Sequence, residues 1–374
     1  MTNNLKNTKN LQVLDDAELL EIMLEDSKKS LDIYKPTNYW NNYEKIFVRE
    51  LKKLGLKDFR RRKNSILSGF SATDLYYSLG KINLYKNKLL YNRITKHLPF
   101  WSKFLSFQNT LLNRIFPVSG SHTTDDIDQL FYRYAKLYGE KCGAKSINDF
   151  EASLYGNPEH VIRANNNLYT IRILNFYMRY SYVCQYLNFN NIKIMVELGS
   201  GSGKQIEVIK KLHPNICFLL FDIPPQSYVC EQYLKSVFPG EVVSYKDTKM
   251  MNLLPDDHKG KIFIFGNWKF PILEKINIDL FWNDTSFQEM EPSIVANYLK
   301  NINTRANAVF LSQIMEGKEV ASKKGSHGVL KKTTLEDYKK GLSNFKLQDL
   351  SSTQDISHKG NLIDSNSFWK RYKI

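Results

Sequence analysis

Cysteine is scarce and unpatterned. The chain of 374 residues has four, Cys142, Cys184, Cys217 and Cys230, with no C-x-x-C pair and no histidine partners at zinc spacing. That argues against a disulfide framework and a structural metal and leaves buried thiols as the expectation. No apolar run approaches the roughly 18 residues needed to cross a bilayer. The opening "MTNNLKNTKNLQVLDD" lacks the apolar centre of a secretion signal, so the expected location is the cytoplasm. Repeats and low-complexity tracts are missing too, and the length favours two domains or one elaborated domain.

Positive charge is what the chain has in excess: 53 Lys and Arg against 38 Asp and Glu, a formal net charge of +15. Between Leu51 and Pro117 there are 14 Lys and Arg against two acids, Asp58 and Asp74, a local balance of +12. Aromatics from Phe59 to Phe107 are interleaved with that charge, a mixture that suits a phosphate-bearing surface such as an activated or lipid-linked sugar, with Arg60, Arg61 and Arg62 as its first contacts. The plainer reading is a helical region with aromatics in its core and lysines in water.

Residues 1 to about 14 read as a polar lead. From Asp15, "DDAELLEIMLEDSKKSLDIY" offers an aspartate N-cap and a stripe of Leu19, Leu20, Met23 and Leu24, the signature of a helix. Helical stretches follow over Trp40 to Leu56, Asp74 to Leu84 and Asp125 to Tyr138, so residues 1–145 form a mainly helical basic region for acceptor binding or oligomerisation. From about Ser146 the texture changes. After the helical "LYTIRILNFYMRYSYVCQYL", short apolar strands alternate with amphipathic helices, which predicts a parallel sheet covered on both faces over residues 146–374. The strands read as "IKIMVEL", "NICFLLFD", "INIDLFWND" and "NAVFLSQ", with "FKLQDL" and "SFWKRY" as a closing hairpin. "EVVSY" and "KIFIF" compete for one further position.

Directly after the first strand stands "VELGSGSGK". A phosphate-cradling P-loop needs four residues between its glycines and then Lys-Ser or Lys-Thr; here three intervene and Gln205 follows Lys204. The dinucleotide fingerprint needs its third glycine at position 204, which is lysine. What remains is E-x-G-x-G-x-G: Glu197, Gly199, Gly201 and Gly203, with Ser200 between. Bare backbone there lets a ligand approach closely. Glu197 argues against a pyrophosphate and suits a cationic or zwitterionic group, and S-adenosylmethionine has both a sulfonium and an amino acid. Asp222 ends the second strand 19 residues past Gly203, near the distance at which an acid accepts hydrogen bonds from ribose hydroxyls; Ile223 follows it.

On "VELGSGSGKQIEVI", "FDIPPQSYVCEQYL", "IDLFWNDTSFQEMEP" and "FEASLYGNPEHVI" the sequence resembles the class I S-adenosylmethionine-dependent methyltransferases, and within them the sugar O-methyltransferases of bacterial polysaccharide and natural-product clusters. The resemblance covers roughly Phe150 to Gln313. It implies a Rossmann-like α/β fold, a mostly parallel seven-stranded sheet flanked by helices, and methyl transfer from the sulfonium to a hydroxyl of a polysaccharide, glycolipid or nucleotide-sugar precursor. Ligands in such sheets bind at the carboxyl ends of the strands, so Asn283, Ser286 and Gln288 are expected to face the acceptor. Glu289 and Asp284 are candidate bases. The competing reading is that Asp284 caps and Glu289 pairs with a lysine. His327, in the Gly-rich "KKGSHGVL", is a third candidate base, against an exposed loop histidine. No metal is assigned; magnesium held by the paired acids is the alternative, by resemblance to some natural-product relatives. Three rival functions remain. A non-sugar metabolite as acceptor stands closest, and a catalytically idle partner protein is disfavoured by the intact glycine run. A nucleic-acid methyltransferase is opposed by "NDTSF", where base methylation calls for Asn or Asp, Pro-Pro and an aromatic.

Overall fold

The computed structural model describes residues 11–75, 124–354 and 364–372. Of the predicted helix over Asp74 to Leu84 only Asp74 and Leu75 are described, and neither is helical; most of the basic, aromatic segment up to Pro117 lies outside those residues, as does the start of the polar lead.

The helical region begins with α1 (Ala17–Lys28), capped by Asp16, whose carboxylate accepts from the Leu19 N–H. It buries Leu19, Leu20 and Met23, three of the four stripe residues. Next comes α2 (Asn38–Leu54), ended by Gly55 at φ +54°. The third helix, α3 (Thr124–Lys141), precedes a small antiparallel ribbon of β1 (Ile162–Ala164) and β2 (Asn167–Tyr169). Helix α4 (Ile171–Cys184), capped by Thr170, buries almost its whole length.

The sheet then builds as the alternation predicts. Its elements are β3 (Ile194–Leu198), α5 (Lys204–Leu212), β4 (Cys217–Asp222), α6 (Pro224–Val237), β5 (Val242–Val243), the short α7 (Tyr245–Thr248), β6 (Ile262–Gly266), β7 (Ile278–Asp284), α8 (Pro292–Arg305), β8 (Ala306–Gln313), α9 (Leu335–Gly341), β9 (Phe345–Ser352) and β10 (Ser365–Arg371). Among the described residues the strand order is β5-β6-β4-β3-β7-β8-β10-β9. All neighbours are parallel except β10, which runs antiparallel to both β8 and β9. This is the expected Rossmann-like, mostly parallel sheet with a closing hairpin. It has eight strands rather than seven because both competitors, at Val242–Val243 and Ile262–Gly266, are strands and pair side by side.

Strand direction of growth reverses at β3, which has β4 on one side and β7 on the other; crossovers diverge there and leave a crevice at the strands' carboxyl ends. Side chains alternate across the sheet. Met195, Phe218, Leu220, Leu280 and Trp282 join a core under α1 to α6, while Val196, Leu219, Phe221 and Phe281 join a second core under α8 and α9. The first core runs without a break from Val13, Leu19 and Phe47 to Trp282 and Phe368, so the N-terminal helices share the sheet's own interior. Cys142, Cys217 and Cys230 are buried, Cys184 is half-buried, and all four are free thiols. Among the described residues no helix is long and apolar enough to cross a membrane.

Candidate functional site

At the crevice β3 gives way to a turn in which Gly199, Gly201 and Gly203 all take positive φ, +82°, +55° and +77°. Side chains other than glycine's adopt that region at a cost. The surroundings of the three differ. A Cβ on Gly199 would lie 2.4 Å from Ser286 Oγ, and one on Gly203 would lie 2.9 Å from Leu234 and 3.0 Å from Cys230 Sγ. Gly203 therefore lets α5 close against α6. A Cβ on Gly201 would meet only the Phe70 carbonyl oxygen, at 3.7 Å. Of the three, Gly201 is the one where a Cβ would meet no more than an ordinary contact.

Two carboxylates converge on this turn. Asp222 accepts from the Gly201 N–H and from the Ile223 N–H, both at 2.8 Å, so the end of β4 is tied to the glycine loop. Burial pushes its carboxyl up to about 7 despite those two donors. Glu197 is 2% exposed. Its Oε2 is buried with no hydrogen-bond partner among the described residues, and burial, Asp284 and Asp222 push its carboxyl well above the ordinary range. A desolvated carboxylate among like charges favours a cation.

The other predicted residues divide into cavity wall and scaffold. Asp284, at the end of β7, forms an ion pair with Arg179 of α4; the guanidinium lies 5.6 Å from the centre of the Phe176 ring. Ser286 borders the cavity, while Asn283 and Gln288 stand behind it. Asn283 donates to the Leu198 carbonyl (2.8 Å) and to Ser286 Oγ (2.7 Å) and accepts from Phe287 N–H (3.0 Å) and Gln313 Nε2 (2.7 Å). Gln288 accepts from the Ile314 N–H. Both amides fix the loop after β7. Glu289 lines the cavity and pairs with a lysine, as the competing reading had it: Lys318 Nζ is 2.7 Å away, and Trp40 Nε1 donates to its other oxygen at 3.0 Å. Burial pushes Glu289 up, opposed by Lys318. Lys318 sits 4.1 Å from the centre of the Tyr39 ring. His327 is exposed and outside the cavity wall, between Glu319 (2.6 Å) and the Tyr43 hydroxyl (2.7 Å).

The cavity has a volume of about 130 Å³ and is partly open to solvent. Its floor is the glycine loop, and its roof comes from the N-terminal region: Pro36, Thr37, Trp40 and the segment Gly69–Ser71. Sequence reasoning missed these roof residues, together with Arg179, Asn267 and Gln226. Asn267 follows β6 and leaves a buried Oδ1 without a partner, as Gln226 leaves Oε1; a polar residue at the end of an apolar strand was the available signal. The expectation is corrected for Arg60. Arg60 is fully buried on Asp74; Arg61 donates to the backbone oxygens of Asn157 and Pro158, and Arg62 to those of Leu54, Gly55 and Lys57. Arg60 is thus withdrawn from the surface, while Arg61 is exposed.

No family model and no curated protein matches the chain. Among solved structures it is similar to magnesium protoporphyrin IX methyltransferase from Synechocystis PCC 6803 with bound SAH, at 11% identity and a TM-score of 0.36 over 54% of this chain and 85% of that one. It is also similar to the pyocyanin biosynthetic protein PhzM (12%, TM-score 0.33, 52% and 57%). A third is an O-methyltransferase from neocarzinostatin biosynthesis in complex with S-adenosyl-L-homocysteine and 1,4-dihydroxy-2-naphthoic acid (10%, TM-score 0.34, 54% and 56%). Likeness at this level carries nothing about substrate or chemistry.

Proposed function

We propose that this chain is an S-adenosylmethionine-dependent O-methyltransferase whose acceptor is a small molecule, a sugar hydroxyl in its narrower form. The observation that carries the reading is Glu197: a buried carboxylate with an unpartnered oxygen, beside a left-handed glycine turn whose Gly201 lines the cavity. That arrangement fits the amino group of a zwitterionic amino acid. Asp222, at the end of the neighbouring strand, fits the hydroxyls of a ribose, and the unpartnered Oδ1 of Asn267 fits an exocyclic amine of a base. When bound, the cofactor supplies an electrophilic methyl group on a sulfonium.

The chain's own residues then do three things. Arg179, held by Asp284, adds a positive charge to a cavity lined by the acids Glu197, Asp222 and Glu289 as well as by Lys35 and Lys204. Glu289, fixed by Lys318 and Trp40, orients an acceptor hydroxyl and takes its proton, and its upward push by burial makes it a stronger base than a surface glutamate. The roof excludes water. The sugar reading rests on the similarity of "NDTSFQEM" to the sugar-modifying branch. The apolar roof of Pro36, Trp40 and Phe70 favours a flat ring, which keeps a phenolic or other non-sugar metabolite as the second reading.

Calorimetry with S-adenosylmethionine tests the first step. The unaltered chain binds, and Glu197→Gln weakens binding by about tenfold or more, the scale of one charge-assisted hydrogen bond. No heat with the unaltered chain rejects the function. Transfer of labelled methyl to a nucleotide sugar but not to a naphthol separates the two acceptor classes.

A further inference from the structure

The roof over Gly201 has its own anchor. The segment from Ser65 to Asp74 leaves α2 and passes across the glycine loop. Its start is held by Glu50, which accepts from the Ser65 hydroxyl and the Ile66 N–H. Its end is held by Asp74, whose N–H donates to the Arg60 carbonyl at 2.7 Å and whose own carbonyl accepts from Glu159 and His160. Between these points Leu67 and Ala72 are buried in the main core and the Ala72 N–H donates to the Leu67 carbonyl at 3.2 Å, while the stretch from Gly69 to Ser71 is more open. Gly69 is exposed, with open space where a Cβ would stand, and Ser71 takes φ +57°. Two further contacts hold the middle down. The Phe70 ring lies against Trp40 and Phe47, at 4.6 and 5.2 Å between centres, and the carbonyls of Ser71 and Ala72 accept from Lys204 Nζ at 3.0 and 2.9 Å.

Lys204 is the first residue of α5, one step past the glycine turn. Its ammonium is fully buried, and besides the two carbonyls it donates to Asp74 Oδ2 at 2.6 Å, the oxygen that Arg60 Nε also reaches at 2.6 Å. Two cations share one carboxylate. Burial pushes Asp74 up, but Arg60 and Lys204 outweigh it and hold it well below the carboxylate range; burial, with Arg60, brings Lys204 down to about 7. Burying a second cation here is expensive, and Arg60 alone would neutralise Asp74. What Lys204 adds is the pair of strap carbonyls.

We propose that Lys204 is a positioning residue that latches the Gly69–Ala72 strap over the glycine loop, so that cofactor enters and product leaves only when this strap lifts. The inference rests on the function proposed above. Anything lying on Gly201 is confined from the other side by Phe70, and the strap sets its escape rate. Opening requires the Lys204 bonds to be given up while the anchors at Glu50 and Asp74 stay in place.

Stopped-flow release of S-adenosylhomocysteine from the full chain decides it. Lys204→Met leaves Asp74 neutralised by Arg60 and frees the strap carbonyls; release about tenfold faster, with faster association, is expected. Phe70→Ala keeps the buried charge cluster intact and gives the same direction, which covers the case that Lys204→Met fails to fold. Release within about twofold of the unaltered chain in every folded variant overturns the latch while leaving the function standing. Absence of binding by the unaltered chain overturns both.

Discussion

Single residues in the glycine turn carry separable duties, and alanine scanning should resolve them. Gly203→Ala brings a Cβ to 2.9 Å from Leu234 and 3.0 Å from Cys230 at φ +77°, so α5 and α6 must part. The expected loss is about 2 to 4 kcal/mol of stability, read by denaturant unfolding. Gly201→Ala meets nothing closer than 3.7 Å at φ +55°. It should lose only about 1 to 2 kcal/mol of stability while, on the proposed function, weakening cofactor binding, because the added methyl group and the strain at positive φ fall on the loop that lines the cavity. Equal stability losses, with binding kept in Gly201→Ala, would contradict this division. Asp222 adds a pH signature. Its carboxyl is raised from an ordinary 3.8 to about 7 in the folded chain. A raised acid binds its proton more tightly when folded, so its stabilisation is present below the ordinary value and is lost as pH climbs through the raised one. The melting temperature of the ligand-free protein should fall between about pH 4 and 7, with a shallower slope in Asp222→Asn. Saturating cofactor should flatten it, since ribose hydroxyls favour the ionised carboxylate.

At the scale of elements, the loop after β7 shows what sequence could and could not reveal. Its position at the sheet's carboxyl edge was legible, because strand ends and a turn are written locally. The roles of its amides were not. Asn283 looks like a ligand group in "NDTSFQEM", yet its bonds go to Leu198, 85 residues away, and to Gln313, 30 residues away, and no local pattern records such partners. The glycine run was legible for the same local reason, and the doubt between "EVVSY" and "KIFIF" arose because two parallel strands of one sheet read alike. Asn283→Ala tests the scaffold role. It strips partners from the buried Leu198 carbonyl, the Phe287 N–H and Gln313 at once, so about 3 kcal/mol of stability should go. The midpoint of urea unfolding should fall with an unchanged slope. A direct acceptor contact would instead lower turnover and spare the midpoint.

Over the whole molecule, the N-terminal helices were foreseen as helices but not as part of the sheet's core. The contacts that place them span 130 residues for Lys204 with Asp74 and 249 for Trp40 with Glu289, a separation at which helical periodicity says only that a face is apolar. At Arg60 the charge misled in the same way, because an arginine looks identical in sequence whether it meets a phosphate or a buried aspartate. The two halves share interior residues, and that fixes what truncation does. Leu19, Leu20, Met23, Phe47, Leu51, Leu56 and Phe59 are each 3% exposed or less within the core that runs on into the sheet. Burial of such a side chain contributes about 1.5 to 3 kcal/mol. Removing all seven thus forfeits on the order of 10 kcal/mol, comparable to the whole stability of an ordinary domain, and uncovers α6, where Tyr228 bonds to Asp15 and Asp16. A chain beginning at residue 146 should therefore fail to give a cooperative unfolding transition and should aggregate in gel filtration. A folded, monomeric product that binds S-adenosylmethionine with unchanged affinity would show that the sheet stands alone and that the roof is dispensable.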